Sequence, residues 1–349
     1  MGGFMSSARN YGATLEQAWP PKPRFSPEQM PDLTGRVVIV TGLFINNFED
    51  RGNTGVGKET VKALLQHNAK TYLAARSQEK AEAAIAELKA ATGKEAIWLE
   101  LDLASLASVR RAAEAFLSKE RELHILFNNA GVAVCPVEML TADRYDMQFG
   151  TNVLGPFFFT ELLMPALVEG AKSSPDGHAR VVTTSSSAAY LGVLHYETMR
   201  DNLEARKKLG SPGLYYQSKF GDAVLAREIA RRYADKGILS FSCNPGWWLD
   251  YLPKPYTCLT LTGYCLGNLS TDLQRHMTGL QRKMILAMTY PAHYGALTQL
   301  WTATMPEVID HNGEFLIPWA RFGRCRDEVY DPEVGDKLWS YLQEQVKGH

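Results

Sequence analysis

The apolar positions of this chain switch repeatedly between two rhythms. Arg36-Val37-Val38-Ile39-Val40-Thr41-Gly42 holds a short unbroken apolar run, the pattern of a strand covered on both faces in a parallel sheet. Lys58 to His67 then spaces its apolar residues along one helical face. The exchange continues through a strand at Thr71 to Ala75, a helix at Gln78 to Ala91, a strand at Ala96 to Leu101, a helix at Ser105 to Ser118 and a strand at Ile125 to Phe127. After these come a long helical region around Asn152 to Leu167, a strand at Val181 to Ser185, a helix starting near Tyr215 (apolar at Phe220, Ala223, Val224, Ile229 and Tyr233) and a strand at Ile238 to Cys243. Strands alternating with helices require right-handed crossovers, which predicts an α/β fold with a doubly wound parallel sheet. Residues 1–34 read as an N-terminal arm, extended and on the surface where prolines cluster from Pro20 to Pro31. Residues 35–349 read as one domain without internal repeats.

Composition narrows the partners. A hydrophobic content of 45% over 349 residues suffices for a substantial core. A net charge of -1 and a pI near 6.7 give no broad attraction to nucleic acid or to an anionic membrane. The five cysteines, Cys135, Cys243, Cys258, Cys265 and Cys325, are odd in number and irregularly spaced, without a paired Cys-x-x-Cys or a nearby histidine set, so neither a disulfide framework nor a metal site is expected. No basic region followed by an apolar core opens the chain, and no run of about 18 apolar residues occurs, so no stable membrane insertion is expected and the cytoplasm is the default location. Met1-Gly2-Gly3-Phe4-Met5-Ser6 fits the loose myristoylation pattern, but no polybasic patch follows it, and one acyl chain binds membranes only marginally.

The chemistry concentrates in Leu214-Tyr215-Tyr216-Gln217-Ser218-Lys219. Residues four apart on a helix are neighbours, so Tyr215 and Lys219 share a face. A free phenol has a pKa of about 10; a cation beside it favours the phenolate and makes it a usable acid or base near neutrality. Spacing alone is better explained by an aromatic residue beside a snorkelling lysine. Its company is more telling: Thr54-Gly55-Val56-Gly57 after one strand, Asn128-Asn129-Ala130-Gly131 after another, Asn152 within Thr-Asn-Val-Leu-Gly, and Ser185-Ser186 ending a third. With these motifs in this order the chain resembles the short-chain dehydrogenase/reductase superfamily in its classical form, from about Leu15 to the C-terminus. The long segment from Ser186 to Tyr215 and the stretch Ile317 to Gly323 resemble its retinol-dehydrogenase-like fungal branch, which includes tailoring enzymes of secondary metabolism.

The resemblance implies a Rossmann fold with a C-terminal substrate-loop region, and a catalytic tetrad. Tyr215 would be the general acid/base, Lys219 would lower its pKa and bind the nicotinamide ribose, Ser186 would hold the substrate oxygen, and Asn152 would anchor a proton-relay water. NADP is the implied cofactor. Gly42, Asn53, Thr54, Gly55, Val56 and Gly57 would cradle its pyrophosphate at a helix N-terminus. Arg76, standing where an acidic residue would select NAD, would meet the 2′-phosphate, and Asp102 and Leu103 the adenine. Asn129, Ala130 and Gly131 would support the middle of the nucleotide, and Pro245, Gly246, Leu269 and Thr271 its nicotinamide end. The implied substrate is a small apolar carbonyl or alcohol such as a terpenoid or polyketide; the aromatic and apolar residues Tyr190, Leu191, Tyr215 and Tyr216 fit that reading or a plain core role. A homo-oligomer is compatible with the family.

Two stretches interrupt the family pattern: Leu43 to Arg51 inside the glycine motif, and Trp247 to Gly267 after Pro245-Gly246. Setting both aside restores an uninterrupted pattern, as translated intron would. The alternatives are a surface bulge whose ends return to the usual positions, since loop closure costs little per added residue, and an enlarged substrate lid. The interruptions also leave room for a catalytically silent dinucleotide-binding sensor or partner-binding protein on the same fold, whereas the retained tetrad favours an enzyme.

Overall fold

The computed structural model describes Gln17 and residues 20–42, 55–246 and 291–349. Among the described residues one sheet contains β1 (Val37–Thr41), β2 (Lys70–Ala75), β3 (Ile97–Glu100), β4 (Ile125–Asn128), β5 (Ala179–Thr184), β6 (Ile238–Cys243), β7 (Phe315–Ile317) and β8 (Arg321–Gly323). Its order is β3-β2-β1-β4-β5-β6-β7-β8, parallel throughout except for the antiparallel β7–β8 pair. The protein therefore has the α/β Rossmann-like fold read from its sequence. The chain winds outward from β1 to β3 and then returns to β4 on the other side of β1. At that reversal the carboxyl ends of β1 and β4 diverge into the crevice where such sheets bind ligands.

The unbroken apolar runs have their expected cause. Val37 and Ile39 point into one core with α3 (Leu106–Leu117), α4 (Gly155–Ser173), α5 (Leu203–Tyr233) and α7 (Pro332–Val346). Val38 and Val40 point into the other, with α1 (Val56–Gln66), α2 (Gln78–Thr92) and α6 (Ala292–Thr304). A strand covered on both faces has no polar side, hence no alternation. The helical region expected around Asn152 begins earlier, at Met147–Phe149, and passes through a π-helical turn, Gly150–Leu154, into α4. By length and composition Met147–Ser173 could cross a membrane, although the sequence holds no unbroken apolar run of that size; 72% of its most apolar window is buried inside the protein, against α3 and the sheet.

The arm departs from the extended surface segment predicted for it. Pro27 opens a 3-10 turn, Pro27–Gln29, and Phe25, Met30 and Leu33 between and beyond the prolines are buried in the α1-side core. The helix bearing Tyr215 also has an unforeseen prelude. α5 starts at Leu203 and is broken at Gly210, whose φ of 77° is left-handed, so Pro212 and Tyr215 open its second half.

Candidate active site

Two strand ends are tied together by one buried hydroxyl. Thr41 Oγ1 donates to Phe127 O (3.1 Å) and accepts from the backbone N–H groups of Asn129 and Ala130, both at 3.0 Å. Asn129 Nδ2 donates back to Thr41 O at 3.0 Å. This lattice brings Gly42 so near Ala130 that a Cβ on the glycine would lie 2.7 Å from the Ala130 Cβ. A Cβ on Gly57 would lie 2.8 Å from Asn129 Nδ2 and nearer still to Gly42 O. The two described ends of the interrupted glycine motif thus lie side by side, and α1 starts there, capped by Gly55 with Val56 as its first residue. The helix N-terminus directs unpaired N–H groups and partial positive charge at that place, which fits a pyrophosphate. Asn53, Thr54 and the stretch Leu43 to Arg51 lie outside the described residues.

Past the ends of β2 and β3 a cavity of about 230 Å³ is lined by Arg76, Glu100, Asp102, Ser105, Ser108 and Arg111. Asp102 Oδ1 accepts from Ala104 N (3.0 Å), which holds the loop, and Leu103 is buried against α4. The cation joining Arg76 here is Arg111 on α3, which the sequence reading did not single out. Two arginines lining one cavity fit a phosphorylated ribose, with Glu100 and Asp102 in the same wall.

The acid/base candidates converge at the carboxyl ends of β4 and β5. Tyr215 and Lys219 are both buried on α5, with Lys219 Nζ 6.0 Å from the centre of the Tyr215 ring. Nζ donates to Thr184 O and to Asp222 Oδ2, each at 2.8 Å. Burial lowers the Lys219 pKa, but attraction to Asp222 and Tyr215 outweighs it and the net shift is upward. Asp222, also absent from the sequence-derived site, is pushed by burial to about 7, with Lys219 pulling it the other way. The one trace of it in the sequence is a carboxylate three positions past the lysine on the same helix.

The neighbouring serines differ in their hydrogen bonds. Ser185 Oγ donates to Lys219 O (2.7 Å) and pins β5 to α5. Ser186 Oγ instead accepts from Ala188 N (3.1 Å), a bond that leaves its own proton for another acceptor. Asn152 lies in the π turn, where its amide clamps Val132 on both sides (N to Oδ1 2.8 Å, Nδ2 to O 2.9 Å) and donates to Ser218 Oγ at 2.9 Å. With the side chain so engaged, any relay role falls to its main chain. Gly131 completes the cluster: a Cβ there would stand 3.1 Å from Asn152 Oδ1 and 3.5 Å from Lys219 Nζ.

On the substrate side Pro245 and Gly246 follow β6, where Asn244 Oδ1 accepts from Gly246 N (3.1 Å). Leu269, Thr271 and the stretch Trp247 to Gly267 lie outside the described residues. Tyr190 is a core residue, its ring edge-on to Phe315 and its hydroxyl donating to Arg324 O at 2.8 Å. Leu191 and Tyr216 are half-buried. Among the described residues no group of three His, Cys, Asp or Glu could hold a metal ion.

This fold and site define a dinucleotide-dependent oxidoreductase. Residues 36–198 match the short chain dehydrogenase family. A short-chain dehydrogenase/reductase of Armillaria gallica is 53% identical over 97% of this chain and 99% of its own length. Retinol dehydrogenase 11 of Homo sapiens is 40% identical over 61% of this chain and 61% of its own. Among solved structures, an uncharacterized protein of Mycobacterium paratuberculosis aligns with a TM-score of 0.64 at 26% identity, covering 93% of this chain and 97% of that one. The chain belongs to the short-chain dehydrogenase/reductase family and is an oxidoreductase acting on CH–OH groups.

Proposed function

We propose that the protein is an NADP-dependent cytoplasmic enzyme that interconverts a carbonyl and an alcohol on a small apolar substrate, as a tailoring step in fungal secondary metabolism. The observation that carries the reaction is the convergence of Tyr215, Lys219 and Gly131 where the β4 and β5 ends meet α5, with Ser186 next to the serine that bonds Lys219 O. The cofactor reading rests on the glycine cradle and on Arg76 and Arg111 at the cavity beyond β2 and β3. The apolar substrate follows from the half-buried Leu191 and Tyr216 beside the site and suits a chain with a retinol dehydrogenase among its relatives.

NADP(H), when bound, gives or takes the hydride. The protein does the rest. Ser186 directs its hydroxyl proton at the carbonyl oxygen, and Tyr215 gives that oxygen a proton, or removes one from the alcohol in reverse. Lys219 makes the phenolate accessible. Asn152, through Val132 and Ser218, keeps the loop after β4 in register with α5. The turn around Gly42 and Gly57 fixes the dinucleotide, since misplacement of about 1 Å near a reacting centre costs on the order of a hundredfold.

The test is steady-state reduction of a panel of apolar ketones and aldehydes with NADPH and with NADH, alongside direct titration of binding for each cofactor. The proposal expects NADPH to bind more tightly and to support turnover. Tight binding without turnover on any carbonyl or alcohol would favour a silent dinucleotide-binding protein, and preference for NADH would overturn the cofactor assignment.

A further inference from the structure

The catalytic lysine is not a lone cation. Its ammonium has three protons, and one of them is held at 2.8 Å by Asp222, a carboxylate almost wholly excluded from solvent. Asp222 Oδ1 has no hydrogen-bond partner among the described residues, so the Lys219 contact is what compensates this carboxylate for leaving water. A residue whose only task was to hold Nζ in place would need an acceptor, and Thr184 O already supplies one at 2.8 Å. What Asp222 adds is charge.

We propose that Asp222 is a positioning residue that sets the acidity of Tyr215 by neutralising Lys219 at close range, so that Tyr215 experiences an ion pair rather than a bare cation. The proposal rests on the reading of Tyr215 as the acid/base. The physical argument is one of distance. The carboxylate lies 2.8 Å from Nζ, while the phenol ring is centred 6.0 Å away, so the anion screens the cation before its field reaches the ring. Among the described residues the other groups around the ammonium add no compensating charge. Thr184 presents a carbonyl from β5, Asn152 an amide from the π turn, and Cys243 on β6 a thiol that burial pushes to about 12 and keeps neutral.

The sign follows directly. Removing the Asp222 charge leaves Tyr215 facing a net positive neighbour, which favours its phenolate and lowers its pKa. An opposite charge at this range moves a pKa by roughly one unit or more. Carbonyl reduction needs the protonated phenol, so its alkaline limb moves to lower pH. Alcohol oxidation needs the phenolate, so oxidation becomes faster near neutrality.

The experiment uses Asp222→Asn, nearly identical in shape, in the full chain. Tyrosinate absorbance is titrated in the protein alone, and subtracting the matching Tyr215→Phe protein isolates Tyr215 from the other tyrosines. The expected result is a midpoint roughly one unit lower in Asp222→Asn than in the unaltered protein, with the alkaline limb of reduction displaced equally. A midpoint that stays put or rises overturns the proposal. Should Asp222→Asn fail to fold, Asp222→Ser removes the same charge and is read the same way. Separately, full turnover in Tyr215→Phe would refute the acid/base reading itself, whereas an inactive Tyr215→Phe with an unmoved midpoint refutes only the role of Asp222.

Discussion

Gly57→Ala asks the most of the cofactor cradle with the smallest change, one methyl group. That methyl would come within 2.8 Å of Asn129 Nδ2 and closer yet to Gly42 O, where ordinary contacts begin at 3.4 Å. Neither neighbour is a flexible side-chain tip. Gly42 is main chain, held by its N–H to Ala74 O at 2.8 Å, and the Asn129 amide is committed to Thr41 O at 3.0 Å. Relief therefore requires α1 to move off the β1 turn by on the order of 1 Å, a displacement that costs roughly a hundredfold where groups must meet a ligand in register. Overpacking of this kind also costs about 1–3 kcal/mol of stability. The assay is NADPH affinity by fluorescence titration, with urea unfolding in parallel. Gly93→Ala is the control: Gly93 caps α2 at a φ of 73° with nothing within 4 Å of the new methyl, so it costs about 1–2 kcal/mol of backbone strain without touching the cradle. NADPH affinity in Gly57→Ala equal to that of the control would refute the reasoning, because the cradle would then tolerate a side chain where the structure leaves no room.

Three further outcomes are expected. Tyr215→Phe should keep NADPH binding and lower turnover by roughly a hundredfold or more, the scale of general acid catalysis; single-turnover reduction at undiminished rate would disprove the assignment. Arg76→Asp should cost NADPH about 1.5–3 kcal/mol relative to NADH through lost charge-assisted hydrogen bonds, and an unchanged ratio of kcat/KM for the two cofactors would place the guanidinium in solvent. Thr41→Val removes the acceptor shared by Asn129 N and Ala130 N, leaving each short of a partner at about 1–3 kcal/mol; a urea midpoint unaffected by the change would show that the lattice between β1 and β4 is not structural.

How much the sequence disclosed follows from how each element is buried. β1 to β6 were legible because a short continuous apolar run, bounded by polar residues and alternating with helical periods, is the pattern of a strand covered on both faces. β7 and β8 were not, since three residues are too few to show a period and take their shape from the sheet edge they join. α6 is buried nearly all round, including Thr298, Gln299 and Thr302, and so has no polar face to mark it as helical. The motifs around Gly42, Asn129, Asn152, Ser186 and Tyr215 meet in space as their order suggested. Asp222 and Arg111 escaped notice because their meaning depends on partners brought by folding: one lies a turn from a lysine at a depth that cannot be seen in the sequence, the other reaches Arg76 from a different crossover.

The buried apolar residues of the arm change where this protein begins in a physical sense. Its first strand opens at Val37, yet Phe25, Met30 and Leu33 are each about as hidden as the strand itself. At about 1.5–3 kcal/mol for each large apolar side chain removed from water, the three together approach the entire net stability of an ordinary domain, about 5–15 kcal/mol. A protease cutting after Arg24 and again at Arg36 would thus do more than trim a leader. It would draw a wedge from beneath α1 and α6, and the close approach of Gly57 to Gly42 at the head of α1 would lose its footing although both glycines remained.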